Sequence, residues 1–211
     1  MRVLVAGANG NTASRVARQL KERGGQPVAM IRDANQRAKF EAMEVETFVA
    51  DLENRTRLED SGCGAVVFAA GSGSKTGPDK TILVDEIGAV HLIDSAMDAG
   101  IKRFIMLSSI NADPWSEGHK ISHYYRAKGI ADFYLRQTAL DYTIVRPGRL
   151  TDGPGRGTVD LAPSLGRSGE IAREDVAQVI VESLETPAAV GKTFDVLEGD
   201  TPIREALKAL D

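Results

Sequence analysis

The feature that most constrains this chain is residues 2–20, where an apolar stretch, RVLVA, passes directly into Gly7, Asn9 and Gly10 and then into a segment with helical periodicity. A short run that is apolar throughout is the pattern of a strand covered on both faces. Behind it Val16, Ala17 and Leu20 recur at helical spacing, while Arg15, Arg18, Gln19, Lys21 and Glu22 take the opposite side and Gly24-Gly25 ends the helix. The turn between them reads G-x-x-G-x-x-A, with Gly7, Gly10 and Ala13 at the three small positions. A dinucleotide needs small residues there: the first for a tight turn, the second so that backbone N–H groups reach the pyrophosphate, the third for close packing of helix on strand. Strand, glycine turn and helix in that order predict a nucleotide site rather than an ordinary turn.

The rest of the chain is long enough for one such α/β domain and too short for a second full one, so a single domain spanning 1–211 is expected. A net charge of −4 without any Lys/Arg run argues against nucleic acid as a partner. The apolar runs are too short to cross a bilayer and the first strand begins at residue 2, so no membrane partner and no leader segment are expected, and the cytoplasm is the expected location. Cys63 is the only cysteine, which excludes an internal disulfide and a thiolate-rich metal site and leaves it as a small core or loop residue.

Taken in order, residues 27–31 read as a second strand ending at Arg32-Asp33. An acidic side chain at this point holds a ribose 2′-OH, whereas an arginine pairs with a 2′-phosphate. Both signals are present. Arg32, with Arg37 as a second cation, is the preferred reading and points to NADP(H), with NAD(H) as the alternative. A short helix over 34–43 and a strand over 45–50 follow, ending at Asp51-Leu52, where a carboxylate and a backbone N–H can hold an adenine edge or Asp51 can cap the next helix. That helix is expected over 54–60, closed by Gly62 and Gly64. Residues 65–70 form a buried strand whose end, Ala69, Ala70 and Gly71, has no bulk to obstruct a ribose and pyrophosphate.

The loop 72–79 is rich in turn formers, and a long helix runs from Pro78 to about Ala99 with Ile82, Ala89, Val90, Ile93, Ala96 and Met97 as its inward stripe. A fifth strand, 102–109, ends in Ser108-Ser109. Residues 110–122 form a loop in which Trp115 lines a pocket or pins the loop. The helix over 122–138 carries Tyr124 and Lys128, whose spacing puts both on one face, one turn apart. A sixth strand, 142–145, ends in Arg146-Pro147-Gly148, a glycine-rich segment covers 153–169, and a helix (173–184), a strand (192–197) and a helix (202–210) complete the chain. This alternation predicts an α/β fold with a doubly wound parallel sheet and a ligand across the carboxyl ends of its strands. The substrate region is then 110–122 and 148–170 with the C-terminal strand and helix.

At those strand ends, the Lys128 ammonium can favour the phenolate of Tyr124. At about 4 Å and an effective dielectric near ~20 the attraction is about 4 kcal/mol, which would draw the hydroxyl down into a useful range. A hydroxyl from Ser108 or Ser109 can hold a substrate oxygen.

These residues resemble the short-chain dehydrogenase/reductase superfamily in its atypical, NmrA-like branch of NAD(P)H-binding and epimerase/dehydratase-like proteins. The likeness runs through GANGNTA at 7–13, MIRD at 30–33, ADL at 50–52, FAAG at 68–71, LSS at 107–109, YYRAK at 124–128 and TIVRPG at 143–148. The resemblance implies a Rossmann fold and a nicotinamide dinucleotide held by Gly7, Asn9, Gly10, Asn11, Thr12, Arg32, Asp51, Leu52, Ala69, Ala70, Gly71, Lys128 and Pro147. It further implies a catalytic set of Ser109 (or Ser108), Tyr124 as acid/base and Lys128, with Asp85 where the superfamily has an asparagine. The reading that results is an NADP(H)-dependent oxidoreductase acting on a small carbonyl, quinone or similar molecule. A non-catalytic NADP(H) sensor is the alternative, motivated by Asp85 and by the small substrate region, which also fits a nucleotide-sugar poorly. A monomer or homodimer is compatible with the resemblance. A third idea, a metal held by Glu117, His119 and His123, lacks a third histidine, and no metal is expected.

Overall fold

In the computed structural model, which describes residues 1–73 and 76–210, the first apolar run is β1 (Arg2–Ala6), with Val3 and Val5 pointing into one layer of core and Leu4 and Ala6 into the other. The alternation of a strand explains this: successive side chains leave opposite faces, so a strand buried on both must be apolar throughout. α1 (Asn11–Glu22), β2 (Gln26–Ile31) and β3 (Glu46–Val49) complete the first half. β4 (Ala65–Phe68), β5 (Arg103–Leu107) and β6 (Asp141–Pro147) follow on the other side of β1. The order β3-β2-β1-β4-β5-β6 is parallel throughout and reverses direction of travel between β1 and β4, the switch point at which such sheets bind ligands.

Several expectations are corrected here. The segment 34–43 is divided into a 3-10 turn (Ala34–Gln36) and a short α2 (Arg37–Glu41), because the Asp33 carboxylate accepts the Asn35 N–H at 2.9 Å and closes a tight first turn. The helix expected over 54–60 is only a 3-10 turn at Glu59–Ser61. Asp51 draws the Glu53 and Asn54 N–H groups into a turn of its own instead. The long helix exists but is not uniform: α3 (Pro78–Thr81) leads into a π segment (Ile82–Ile87) and then α4 (Gly88–Asp98). The wider π turn rotates the helix relative to a regular 3.6 period, so Ile82 and Met97 are exposed and Leu92 takes an inward place beside Ala89, Ile93 and Ala96. Within the loop expected over 72–79, Ser74 and Lys75 lie outside the described residues.

The second half also departs from a purely parallel sheet. α5 (Ser122–Arg136) precedes β6, after which β7 (Arg149–Thr151) and β9 (Glu170–Ala172) pair as a separate small sheet. The glycine-rich stretch contains β8 (Thr158–Ala162), which runs antiparallel to β10 (Lys192–Glu198) and to the short β11 (Thr201–Pro202). β10 reverses into β11 at Gly199, where a Cβ would lie 2.2 Å from the Asp160 backbone nitrogen; only glycine lets the two strands flank β8 so closely. α1, α6 (Arg173–Ser183) and α7 (Ile203–Lys208) cover one face of the sheet, and α4 and α5 cover the other, where Cys63 is packed.

Candidate active site

The glycine turn is built to leave room. Gly7 has φ +76° and a Cβ there would lie 2.5 Å from the Ala70 Cα, so the end of β4 presses directly on the turn. Gly10 donates its N–H to the Gly7 carbonyl at 2.8 Å and stands before α1 without any side-chain cap, and the first turn of α1 holds no acidic residue. Uncapped N–H groups at an N-terminus free of negative charge, beside a cradle that a Cβ would fill, fit the pyrophosphate of a dinucleotide. Ala13 is fully buried against the sheet, as the third small position requires. Asn9, Asn11 and Thr12 belong to the same turn.

At the end of β2, Arg32 is exposed and, among the described residues, forms no ion pair; the Asp33 carboxylate is committed to its capping bond. Arg37 is also exposed. One residue missed in the sequence is Lys39, whose ammonium reaches back from α2 to donate to both the carbonyl and the side-chain oxygen of Asn9 at 3.2 Å. Burial pulls Lys39 below the usual lysine range. Nothing in a linear reading joins Lys39 to the turn, because α2 must first fold over the strand tips. At the end of β3, Asp51 accepts the Glu53 N–H at 3.0 Å and the Leu52 carbonyl lies 3.2 Å from His91 Nδ1, so His91 braces α4 against this strand end.

The catalytic candidates converge on α5. Lys128 is buried and donates to the carbonyls of Ala70 and Leu107 at 3.4 and 3.3 Å, which ties it to the ends of β4 and β5. Its ammonium lies 3.1 Å from Asp85 Oδ1 and 5.9 Å from the centroid of the Tyr124 ring. Asp85 is itself buried, placed by the π segment, and its other oxygen accepts the Ser72 N–H at 2.9 Å. Burial alone would lower Lys128, but Asp85, with Tyr124 and Asp132 adding, holds it above the ordinary lysine range. Tyr124 is not drawn down as its spacing from Lys128 suggested. Burial raises it, Asp85 supports the rise, and Lys128 and a hydrogen bond with Ser109 only partly oppose it. The expectation of a depressed tyrosine is corrected first by desolvation and then by a carboxylate whose proximity to the ammonium depends on the fold.

The two serines separate. Ser108 donates to Asp132 Oδ2 at 2.8 Å, and the same oxygen accepts from Arg146 Nε at 2.9 Å, so Ser108 is committed to a buried network away from Tyr124. Burial raises the Asp132 carboxyl despite the Arg146 guanidinium and Ser108. Asp132 was missed in the sequence although its signal was present: Tyr124, Lys128 and Asp132 follow one another at four-residue steps along a single helix face. Pro147 is buried, with its carbonyl accepting the Ile110 N–H at 3.0 Å.

A match to the NAD(P)H-binding family model covers residues 7–187, from the glycine turn through the Tyr124 and Lys128 helix and beyond. The chain belongs to the NAD(P)H-binding family. Within it the chain is an atypical, NmrA-like short-chain dehydrogenase/reductase. It is similar to YhfK of Bacillus subtilis, an uncharacterised protein named as a sugar epimerase, at 44% identity with both chains covered in full. A Bacillus halodurans structure named as an NAD-dependent epimerase/dehydratase matches with a TM-score of 0.93 and 44% identity over 99% of each chain. ChuY of Escherichia coli O157:H7, named as an anaerobilin reductase, matches with a TM-score of 0.81 and 25% identity over 95% of this chain and 98% of its own. The family places an oxidoreductase-like, NAD(P)H-binding protein on this Rossmann sheet.

Around the strand ends, the loop after Ser109 is pinned by its backbone: Asp113 and Pro114 lie against Gly129, where a Cβ would come within 2.3 Å of the Asp113 carbonyl carbon. Trp115 does not pin it, being 84% exposed. His119 Nδ1 accepts the Ile121 N–H at 3.3 Å, and among the described residues no group of three His, Cys, Asp or Glu side chains is placed to hold a metal. A cavity of about 660 Å³ lies between β8, β10 and α7, lined by Leu161, Lys192, Thr193 and Leu210 among others. In the sheet order this cavity lies at the β8–β10 edge, with β6, β5 and β4 between it and β1. Among the described residues no helix is long and apolar enough to cross a membrane.

Proposed function

We propose that this protein is an NADP(H)-dependent oxidoreductase that reduces a small carbonyl, quinone or similar acceptor. The observation that carries the reading is the placement of Tyr124 and Lys128 on one face of α5, with Lys128 tied to the ends of β4 and β5 beside the glycine turn. When bound, the reduced nicotinamide supplies a hydride to the acceptor. Gly7, Gly10 and the start of α1 hold the pyrophosphate, with Asn9, Asn11 and Thr12 around it, while Ala69, Ala70 and Gly71 leave space along the end of β4. Asp51 and Leu52 border the adenosine, and Pro147 borders the nicotinamide. Arg32, with Arg37 and Lys39 beside it, meets the 2′-phosphate; the engagement of Asp33 as a cap is what favours phosphate over a bare ribose hydroxyl.

In the chemical step Ser109 orients the acceptor oxygen and Tyr124 Oη gives it a proton, taking one back from solvent afterwards. Lys128 positions Tyr124 and the dinucleotide ribose. The reductase name carried by ChuY is in keeping with this direction. A second reading, a non-catalytic NADP(H) sensor, is favoured by the buried Asp85 carboxylate, which occupies the Lys128 ammonium at 3.1 Å. The deciding experiment is NADPH oxidation against a panel of small quinones, aldehydes, ketones and flavins, with Tyr124→Phe beside the wild type. Turnover that collapses in Tyr124→Phe while NADPH still binds is the expected result. Tight NADPH binding with no turnover across the panel selects the sensor.

A further inference from the structure

We propose that Asp85 is a built-in counter-ion that offsets the field of Lys128 at Tyr124, so that Tyr124 rests as a phenol rather than as a phenolate stabilised by the ammonium. This rests on the reading of Tyr124 as the acid of the site. It concerns the protonation state in which Tyr124 rests, which the presence of Tyr124 and Lys128 alone leaves open.

The argument is one of charge placement. The Lys128 ammonium has a carboxylate oxygen at 3.1 Å and otherwise touches neutral groups: the carbonyls of Ala70 and Leu107, and the face of the Phe68 ring at 5.4 Å from its centroid. Both members of the pair are almost wholly buried, with side-chain exposures of 4% and 1%, so solvent does not screen their interaction with a third group nearby. Asp85 is held in place from both sides. Its Oδ2 accepts the Ser72 N–H, and a Cβ on Gly71 would lie 3.1 Å from its Oδ1, so the glycine lets the chain crowd against the carboxylate. Asp85 lies buried within the π segment, and such segments recur at functional sites.

Around Tyr124 the Lys128 ammonium lies 5.9 Å from its ring centroid and the Tyr125 ring 5.9 Å away, with Asp85 from the π segment and Ser109 from the end of β5 also acting on its hydroxyl. Asp132 faces Lys128 from the next turn and is itself matched by Arg146. Lys128 is paired with Asp85 and Arg146 with Asp132, so the half-buried Tyr124 stands beside charges that are already matched. A phenolate formed there has no unmatched cation, and burial then favours the neutral hydroxyl, in agreement with the raised position of Tyr124.

The test needs no substrate. The tyrosinate absorbance of the full-length protein is titrated, and the titration of the same protein carrying Tyr124→Phe is subtracted, so that only Tyr124 is read. In Asp85→Asn the unmatched Lys128 ammonium acts on Tyr124 and the midpoint is expected to fall by about one to three pH units. In Lys128→Met it is expected to rise, and in the double variant, where the pair is removed whole, to return near the wild-type value. An unchanged midpoint in Asp85→Asn overturns the proposal. If Asp85→Asn does not fold, the comparison of Lys128→Met with the double variant serves instead, and equal midpoints in those two overturn it. A failure to find any turnover bears on the oxidoreductase reading alone, because this titration is independent of it.

Discussion

Replacing Gly129 by alanine sets two physical effects against each other, and the structure decides the sign. Gly129 lies inside α5, where alanine is the better helix former by about 0.8–1.0 kcal/mol, so propensity alone predicts a more stable protein. The added Cβ, however, would stand 2.3 Å from the Asp113 carbonyl carbon, 2.4 Å from the Pro114 nitrogen and 2.6 Å from the Asp113 Cα. Carbon atoms in contact sit at about 3.5–4.0 Å, so the loop has to move by roughly 1 Å or more. It cannot do so freely. Its backbone is fastened to the same helix by the Asp113 N–H on the Tyr125 carbonyl at 3.1 Å and by Arg126 on the Ser116 carbonyl. Overpacking of this kind costs about 1–3 kcal/mol, and with backbone rather than a flexible side chain in the way the upper figure applies. The net is a loss of about 2 kcal/mol, which for a chain of this size lowers Tm by roughly 4–8 °C. Differential scanning calorimetry of Gly129→Ala beside the wild type measures it. A Tm that is unchanged or raised refutes the packing argument and leaves propensity in charge.

Gly7→Ala is expected to fold less stably and to lose NADP(H) binding in isothermal titration, because its Cβ meets the Ala70 backbone at 2.5 Å in a left-handed conformation; retained affinity would show that the turn is not the pyrophosphate cradle. Arg32→Ala is expected to weaken NADPH roughly tenfold to a hundredfold, the value of a charge-assisted bond of about 1.5–3 kcal/mol, and to leave NADH unchanged; equal losses for both would place Arg32 away from the 2′-phosphate. Asp132→Ala strips the shared acceptor from Ser108 and Arg146 and leaves a guanidinium half-buried without its partner, a loss of about 3–5 kcal/mol to be read as a lower urea midpoint. Glu174 is held below the ordinary carboxylate range: burial would raise it, but Arg18, Gln19 and Arg15 outweigh that. Its stabilising contribution is therefore present above the ordinary glutamate value and is lost as pH falls through the lowered one. Thermal unfolding followed down the acid range should lose Tm less steeply in Glu174→Gln than in the wild type.

Much of this protein was legible without coordinates because the signals involved are local. The two-sided burial of β1 is written in an unbroken apolar run, the tight glycine turn in the spacing of Gly7, Gly10 and Ala13, and the meeting of Tyr124 and Lys128 in the pitch of a helix. Each involves residues a few positions apart, whose geometry the backbone alone supplies. The failures have the opposite character. The helix expected over 54–60 gave way to turns started by Asp51, and the stripe over 82–97 was rotated by a π segment that periodicity cannot report. Antiparallel β8 depends on Gly199 meeting Asp160, residues far apart in the chain.

The site divides along the same line. Amino-acid order alone determined the α/β alternation, the glycine turn and the identity of the tyrosine and lysine, since these follow from side-chain type and short-range spacing. Only the tertiary structure decided that Ser108 is tied to Asp132, that Lys39 reaches the glycine turn, and that Lys128 is matched by Asp85. Those outcomes depend on distances of a few ångströms between segments that the chain brings together only when it packs, and the electrostatic field at Tyr124 is set by such distances and by burial rather than by sequence separation.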